Sequence, residues 1–121
     1  MLDYESVRFS FEDGYRAARN LLARGREFSA IFAMSDVMAI GAIRALREAG
    51  KQVPGDVSVM GFDGLTVGEY TVPTLSTIRQ SVEAMAQRSV DILLENIGQA
   101  RPASYETVPF FVELRESTGR K

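Results

Sequence analysis

One stretch of the sequence constrains the fold more than any other, because it predicts two strands joined by a helix. Residues 30–33, Ala-Ile-Phe-Ala, form an apolar run that is long enough for a buried strand and too short for a helix. A helix is expected from Asp36, with Ser35 as its N-cap and Gly50 as its stop. Residues 57–62 form a second apolar strand. Two strands joined by a helix of this length run parallel, with a right-handed crossover.

Polar side chains follow both of these strands. Ser35 and Asp36 come after the first strand, and Asp63 comes after the second. Open α/β sheets bind ligands along the carboxyl edge of their parallel strands, so these side chains are candidates for a ligand site. Structural roles are the alternative: Ser35 as a helix cap, Asp36 as a partner of the helix dipole, and Asp63 as a turn residue before glycine. A magnesium site on Asp36 and Asp63 is a weaker alternative, since no third carboxylate or phosphate-clamping lysine accompanies them.

The N-terminal part of the chain predicts one more helix. Ser10 and Asp13 have the spacing of a capping box, and the apolar stripe that follows fades near residues 24–25. Residues 2–7 carry only a weak strand signal. Phe9, just before this helix, is a candidate stacking face for a sugar or base, although a buried ring is the structural alternative.

The C-terminal part predicts a short strand, a helix and an extended segment. Residues 75–79 alternate like a strand, and Ser81 is a possible N-cap for a helix that ends near residues 96–98. The predicted buried side of this helix consists of Val82, Met85, Ala86, Leu93 and Ile97. Residues 99–104 read as a loop, and Pro109 places residues 105–114 at the sheet edge or outside the body of the domain. The whole order predicts a mostly parallel, three-layer α/β (αβα) sheet flanked by helices.

The composition excludes several classes of site. The 121 residues contain neither cysteine nor histidine, which excludes disulfides, thiol nucleophiles, thiolate zinc sites and His-based triads. A net charge of −2 without a basic run argues against a stand-alone nucleic-acid or membrane surface. The glycines form no dinucleotide or P-loop pattern, so no cofactor and no metal are predicted. With no stretch long enough to span a membrane and no signal-peptide pattern, we expect a single cytoplasmic domain, residues 1–121.

Three further features remain open from the residues alone. Gln80, at the end of a strand and before a helix, fits either a ligand contact or a solvated side chain. The helix after Ser35 is apolar on more than one face, which favours burial on two sides, one of them against a partner subunit. Gly61, inside the second strand, indicates a close backbone approach or a bulge.

Several ordered motifs together are similar to the C-terminal part of one protein family. They read AIFAMSDVMAIGAIRALREAG, VPGDVSVMGFDG, PTLSTIRQ and ELRESTG. The chain resembles, over essentially all of its length, the lactose-repressor/galactose-repressor (LacI/GalR) family of bacterial transcription regulators. The resemblance implies a periplasmic-binding-protein-like effector domain of two α/β subdomains that binds a small effector, commonly a sugar or nucleobase, between them.

The resemblance also implies roles for individual residues. The ligand contacts would be Phe9, Ser35, Asp63 and Gln80, with Asp63 as the anchor for ligand hydroxyls and Phe9 as the stacking face. Ser35 departs from the asparagine or aspartate often found at its position. The surface of a homodimer or higher homo-oligomer would draw on Ala39, Ile40, Ile43, Arg47, Val67 and Tyr70.

The function implied is that of the effector-binding and dimerisation portion of such a regulator, with no catalysis. A helix-turn-helix headpiece and the N-terminal subdomain are absent from the sequence, so operator DNA would be bound only through that missing part. Two alternatives stay open: a fragment of a periplasmic sugar-binding protein for uptake, and a magnesium-dependent enzyme of doubly wound fold.

Overall fold

A computed structural model describes residues 8–98 and 105–120. Its helices are α1 (Phe11–Ala23), α2 (Asp36–Glu48) and α3 (Val82–Asn96), with a 3-10 turn at Thr66–Glu69. Its strands are β1 (Ala30–Phe32), β2 (Ser58–Asp63), β3 (Ser76–Gln80) and β4 (Phe110–Glu113). The weak strand predicted at residues 2–7 and the loop predicted at residues 99–104 lie outside the described residues.

The strands form one mixed sheet in the order β1-β2-β3-β4. Strands β1, β2 and β3 run parallel to one another, and β4 pairs antiparallel with β3. The mostly parallel sheet flanked by helices is therefore confirmed. Strand β4 lies at the edge of the sheet and begins directly after Pro109, as the proline predicted, since proline cannot donate to a neighbouring strand.

The main core lies between the sheet and α2. Ile31 of β1 pairs with Val59 of β2 in register, and Leu75, just before β3, is buried in the same cluster as Val59. The buried residues of this cluster are Ala33, Met38, Ala39, Ile43, Leu46, Val57, Val59 and Leu75. Ser35 caps α2, and Gly50 has φ 75° just beyond the end of the helix, as the sequence predicted.

The second apolar face of α2 is covered by α1, not by a partner subunit as one sequence interpretation held. Ala18 of α1 packs with Ala42 and Ala45 of α2 in a second, smaller cluster. A methyl group on Gly14 would overlap the Met38 backbone, and one on Gly41 would overlap the carbonyl of Phe11. These small residues let the two helices approach closely, which the stripe pattern alone cannot reveal.

Helix α3 differs most from its sequence-based prediction. No residue of α3 is buried, although Val82, Met85, Leu93 and Ile97 had been assigned to a buried side. The periodicity of the stripe is real, but none of the described elements covers it. Ser81 stands at the N-cap, yet its hydroxyl donates to the carbonyl of Pro109 (2.7 Å) instead of capping the helix. Among the described residues, no helix combines the length and apolar character needed to cross a membrane.

The C-terminal segment closes the amino end of the sheet through Ser117. The Ser117 hydroxyl donates to the carbonyl of Val59 (2.6 Å) and accepts from the amide of Ser76 (2.8 Å). The Ser117 carbonyl accepts from the amide of Val59 (2.8 Å). The pairing of β2 with β3 begins at Met60 and Ser76. Just before that point, Ser117 forms the hydrogen bonds to Val59 and Ser76.

Candidate ligand-binding edge of the sheet

Strands β1, β2 and β3 end on the same side of the molecule, because they run parallel. We call this side the carboxyl edge. Ser35 follows β1, Asp63 ends β2 and Gln80 ends β3. The structure therefore brings three of the four predicted ligand contacts to one edge.

Asp63 and Gln80 are directly joined at this edge. The Gln80 amide nitrogen Nε2 donates to Asp63 Oδ1 (2.8 Å), and both side chains are partly exposed. Asp63 has φ 113°, the one positive φ at a non-glycine position among the described residues. A side chain held in that region is strained, and such strain is concentrated at functional sites. Asp63 is partly exposed, and its carboxylate can accept more hydrogen bonds than the one from Gln80.

A buried network lies under the Asp63 turn. Asp36 has 0% of its surface exposed, and its carboxylate accepts two hydrogen bonds, one on each oxygen. The Thr77 hydroxyl donates to Oδ1 (2.6 Å) and the Leu65 amide donates to Oδ2 (2.6 Å). The Gly64 amide donates in turn to Thr77 Oγ1 (3.3 Å). Both backbone amides that follow Asp63 are therefore bound by this network.

Gly61 makes room for that network. A methyl group at position 61 would overlap Asp36 Oδ1, so only glycine admits the carboxylate between α2 and β2. The close backbone approach that the sequence predicted for Gly61 is confirmed, and its cause is a side chain from the neighbouring helix. Gly64, with φ 79°, lies against Arg79 of β3, where a methyl group would overlap the Cβ, Cγ and Cα atoms of that residue.

Ser35 is a helix cap in this structure. Its side chain is buried, and Ser35 Oγ accepts from the Met38 amide (3.3 Å). This is the structural role that the sequence left open beside a ligand contact. We therefore do not count Ser35 among the ligand contacts proposed below.

Phe9 is exposed, with 67% of its surface accessible. It stands one residue before Ser10, the N-cap of α1, whose side chain accepts from the Asp13 amide (3.0 Å) as the capping box predicted. The first turns of α1 cross α2 beside Met38, the residue whose amide is bound by Ser35. The Phe9 ring is thus accessible just before the start of α1.

Charged side chains beside the edge pair with one another. Arg79 Nε lies 2.7 Å from Glu113 Oε1, and Arg79 also reaches Glu69 (3.1 Å). Arg115 binds the same two carboxylates, at 3.1 Å for Glu69. This cluster ties the 3-10 turn to β3 and β4. Sequence reasoning missed it because its members are far apart in the chain.

The predicted dimer residues divide into two groups. Ala39 (0% exposed) and Ile43 (5%) face the core of this chain, so their assignment to an outward surface was wrong. The inward turn follows from the register of α2 on the sheet, where both residues pack in the main cluster. Ile40 is half-buried against the same cluster.

The other predicted dimer residues do form an exposed patch, which we call the α2–loop patch. It consists of Arg47, Val67 and Tyr70 from the predicted set, with Val72 added because Arg47 contacts it. Arg47 donates to the carbonyl of Val72 (3.0 Å), which joins the end of α2 to the loop after β2. Tyr70 is 81% exposed.

The magnesium alternative has little support in this geometry. Both Asp36 oxygens accept hydrogen bonds inside the protein, so coordination would require breaking the network described above. Within residues 8–98 and 105–120, no group of three acidic side chains is placed to hold a metal ion.

Residues 2–118 match the model of one protein family, described as the periplasmic binding protein-like domain. Among curated proteins, the chain is 45% identical over 106 residues to the HTH-type transcriptional regulator MalR of Streptomyces coelicolor. That alignment covers 88% of this chain and 30% of MalR. The chain thus spans about a third of the length of such relatives, and it matches their C-terminal part.

Solved structures give the same result. A LacI family regulator from Arthrobacter sp. FB24, in complex with lactose, matches with a TM-score of 0.80 and 32% identity, over 93% of this chain and 44% of that one. The lac repressor dimer bound to operator and the anti-inducer ONPF matches with a TM-score of 0.85 and 33% identity, over 93% of this chain and 39% of that one.

Proposed function

The chain belongs to the periplasmic binding protein-like family of LacI-type transcriptional regulators, and we propose that it forms the effector-binding and dimerisation portion of such a regulator. The observation that carries this proposal is the Asp63–Gln80 pair at the carboxyl edge, with Asp63 held at a positive φ. A preformed acceptor on a rigid turn is what a site for a small polar ligand requires.

The effector that this edge fits best is a sugar. An ionised carboxylate accepts hydrogen bonds from two neighbouring hydroxyls, and the Gln80 side chain offers both a donor and an acceptor next to it. The exposed Phe9 ring supplies an apolar face on which a sugar ring can stack. These three residues are the contacts we assign to the effector.

Control of DNA binding would follow from differential affinity. An effector that binds one closure state of the regulator more tightly shifts the population toward that state, and the shift cannot exceed the difference in binding free energy. We assign operator binding to a part of the regulator outside these 121 residues. We infer a binding protein and not an enzyme, because the curated relatives that the chain matches are transcriptional regulators.

Dimerisation is the second part of the proposal, and we assign it to the α2–loop patch. Its exposed apolar and aromatic side chains, joined to one arginine, have the composition of an interface core. The core-facing Ala39 and Ile43 are left out of this surface.

The test is an amide-shift NMR titration of the chain with lactose, glucose and ribose, followed by the same titration of Asp63→Asn. Asparagine tolerates a positive φ, so the turn is kept while the charged acceptor is lost. We expect saturating shifts at Phe9, Asp63 and Gln80 with at least one sugar, and an affinity about tenfold lower in the variant, the size expected for a charged hydrogen bond.

Asp91→Asn is the matched control, because Asp91 is an acidic residue on the exposed surface of α3 with a hydrogen bond from Gln87. It should titrate like the wild type. A wild-type chain that gives no shifts with any of the three sugars, or shifts confined to residues far from the carboxyl edge, would contradict the proposed function.

A further inference from the structure

The turn that presents Asp63 is held from below by a side chain that cannot touch a ligand. Asp36 is fully buried at the start of α2, 27 positions before Asp63 in the sequence. Its carboxylate binds the Leu65 amide directly, and it binds the Gly64 amide through the Thr77 hydroxyl. The Asp36 carboxylate therefore holds both backbone amides of the turn after Asp63, one directly and one through Thr77.

We propose that Asp36 is a positioning residue for effector binding, holding the Asp63 turn in the conformation in which the Asp63 carboxylate meets the ligand. This inference rests on the proposed function for its consequence in binding. The dependence of the turn on Asp36 is a property of the ligand-free protein and does not rest on that function.

The hydrogen-bond chemistry explains why a carboxylate is needed at this position. All three donors in the network are neutral, and they require two acceptor oxygens on residue 36 plus the acceptor lone pair of Thr77. A serine or alanine at position 36 would leave the Leu65 amide unpaired, and an asparagine would turn an NH₂ group toward a donor. An unpaired polar group in a buried site is costly, so the turn would move to find another partner.

The backbone of Asp63 is strained, and we expect the network to oppose its relaxation. A residue at φ 113° relaxes to negative φ unless its surroundings prevent it. Gly61 is part of the same arrangement, since its lack of a side chain admits the Asp36 carboxylate.

The decisive variants are Thr77→Val, which has nearly the shape of threonine without the hydroxyl, and Thr77→Ser, which keeps the hydroxyl. Asp36→Asn tests the carboxylate itself. In the free chain, we expect Thr77→Val and Asp36→Asn to raise hydrogen exchange at the Leu65 and Gly64 amides at least about tenfold, and to change the three-bond HN–Hα coupling of Asp63, which reports φ. Thr77→Ser should restore the wild-type values of both.

Binding is measured in the same variants with lactose, glucose and ribose. We expect Kd for the sugar that binds wild type to rise about tenfold in Thr77→Val and to stay at the wild-type value in Thr77→Ser. Ser117→Ala is the control for a buried hydroxyl lost at the opposite end of β2 and β3. It should lower stability without moving the Asp63 coupling or Kd.

Three results separate the possibilities. A folded Thr77→Val chain with unchanged Asp63 coupling and unchanged amide exchange overturns the inference. If Asp36→Asn fails to fold, the comparison of Thr77→Val with Thr77→Ser still decides it. A changed coupling with unchanged Kd overturns the link to binding. A wild-type chain that binds none of the sugars counts against the proposed function, while the coupling and exchange data still decide the role of Asp36.

Discussion

Asp63 combines two demands that conflict in a single residue. Its carboxylate requires a side chain, while its backbone, at φ 113°, lies where glycine is favoured. The following Gly64 also has a positive φ, so two consecutive residues turn the chain sharply at the end of β2. The chain carries aspartate at a position where glycine would fold more easily, as the proposed contact of its carboxylate with an effector would require.

This conflict predicts the order of stability of two variants. Asp63→Gly and Asp63→Ala both lose the hydrogen bond from Gln80, but only glycine relieves the backbone strain. We expect Asp63→Gly to have a free energy of unfolding about 1 kcal/mol above that of Asp63→Ala. Urea denaturation followed by circular dichroism measures the difference. Equal stabilities would mean that the turn is not strained.

For single residues, the sequence predicted where a residue lies in the fold better than which groups it forms hydrogen bonds with. Asp63, Gln80 and Gly61 were placed correctly, because the end of a strand and a glycine within a strand are local features. The partners of Asp36 were not predicted, since Leu65 and Thr77 lie 29 and 41 positions away. Ser35 was assigned both roles, and only its burial decides between them.

At the scale of elements, the crossing of α1 over α2 depends on two glycines that lie in helices. Glycine lowers helix stability by about 1 kcal/mol relative to alanine, so a glycine in an ordinary exposed helix is replaced with a gain. Here the added methyl group of Gly41→Ala would meet the carbonyl of Phe11, a backbone atom that cannot move alone. At this crossing, the cost of the steric overlap is larger than the gain in helix propensity.

We therefore expect Gly41→Ala to lower the free energy of unfolding by about 2 kcal/mol, as overpacking of a close interface does. Chemical denaturation of the purified variant measures this change. Gly55→Ala is the control, since its added methyl group would come no closer than 3.1 Å to its nearest neighbour, the Gln52 side chain. An unchanged or higher stability in Gly41→Ala would show that the helices can separate without loss.

The helices also show which features a sequence pattern can predict and which it cannot. The caps and ends of α1 and α2 were predicted because capping residues and a terminal glycine act on their own turn of helix. The exposure of α3 could not be predicted, because an apolar stripe states which side of a helix avoids water and not what covers it. For the same reason, the second face of α2 was assigned to a partner although α1 covers it.

At the scale of the whole molecule, the α2–loop patch is the surface we assign to self-association. Removing its aromatic centre should weaken that association. We expect Tyr70→Lys to shift the chain toward monomer in light scattering at matched concentration, because a lysine at an apolar interface must be desolvated.

Tyr105→Lys is the matched control, since Tyr105 is also exposed, at 98%, but lies outside the patch. It should leave the oligomeric state unchanged. A wild-type chain that remains monomeric at high concentration would contradict the assignment, and so would equal effects of the two lysine variants.

The parallel core of the sheet was predictable at this scale, because the strand–helix–strand stretch permits only one sense of pairing. The edge position of β4 was predictable from Pro109. The long-range closures by Ser117, Arg115 and Glu113 were not, as they depend on how distant segments meet after the core has formed.

The position of Ser117 has a consequence for the order in which the molecule can be completed during its synthesis. Val59 and Ser76 leave the ribosome 58 and 41 residues before Ser117, the residue that satisfies their hydrogen bonds. Until then, the amino ends of β2 and β3 stay open to water or to another chain. The sheet therefore reaches its final form only after residue 117 has been translated, so a nascent chain stalled upstream of that residue should expose an unclosed β2–β3 seam.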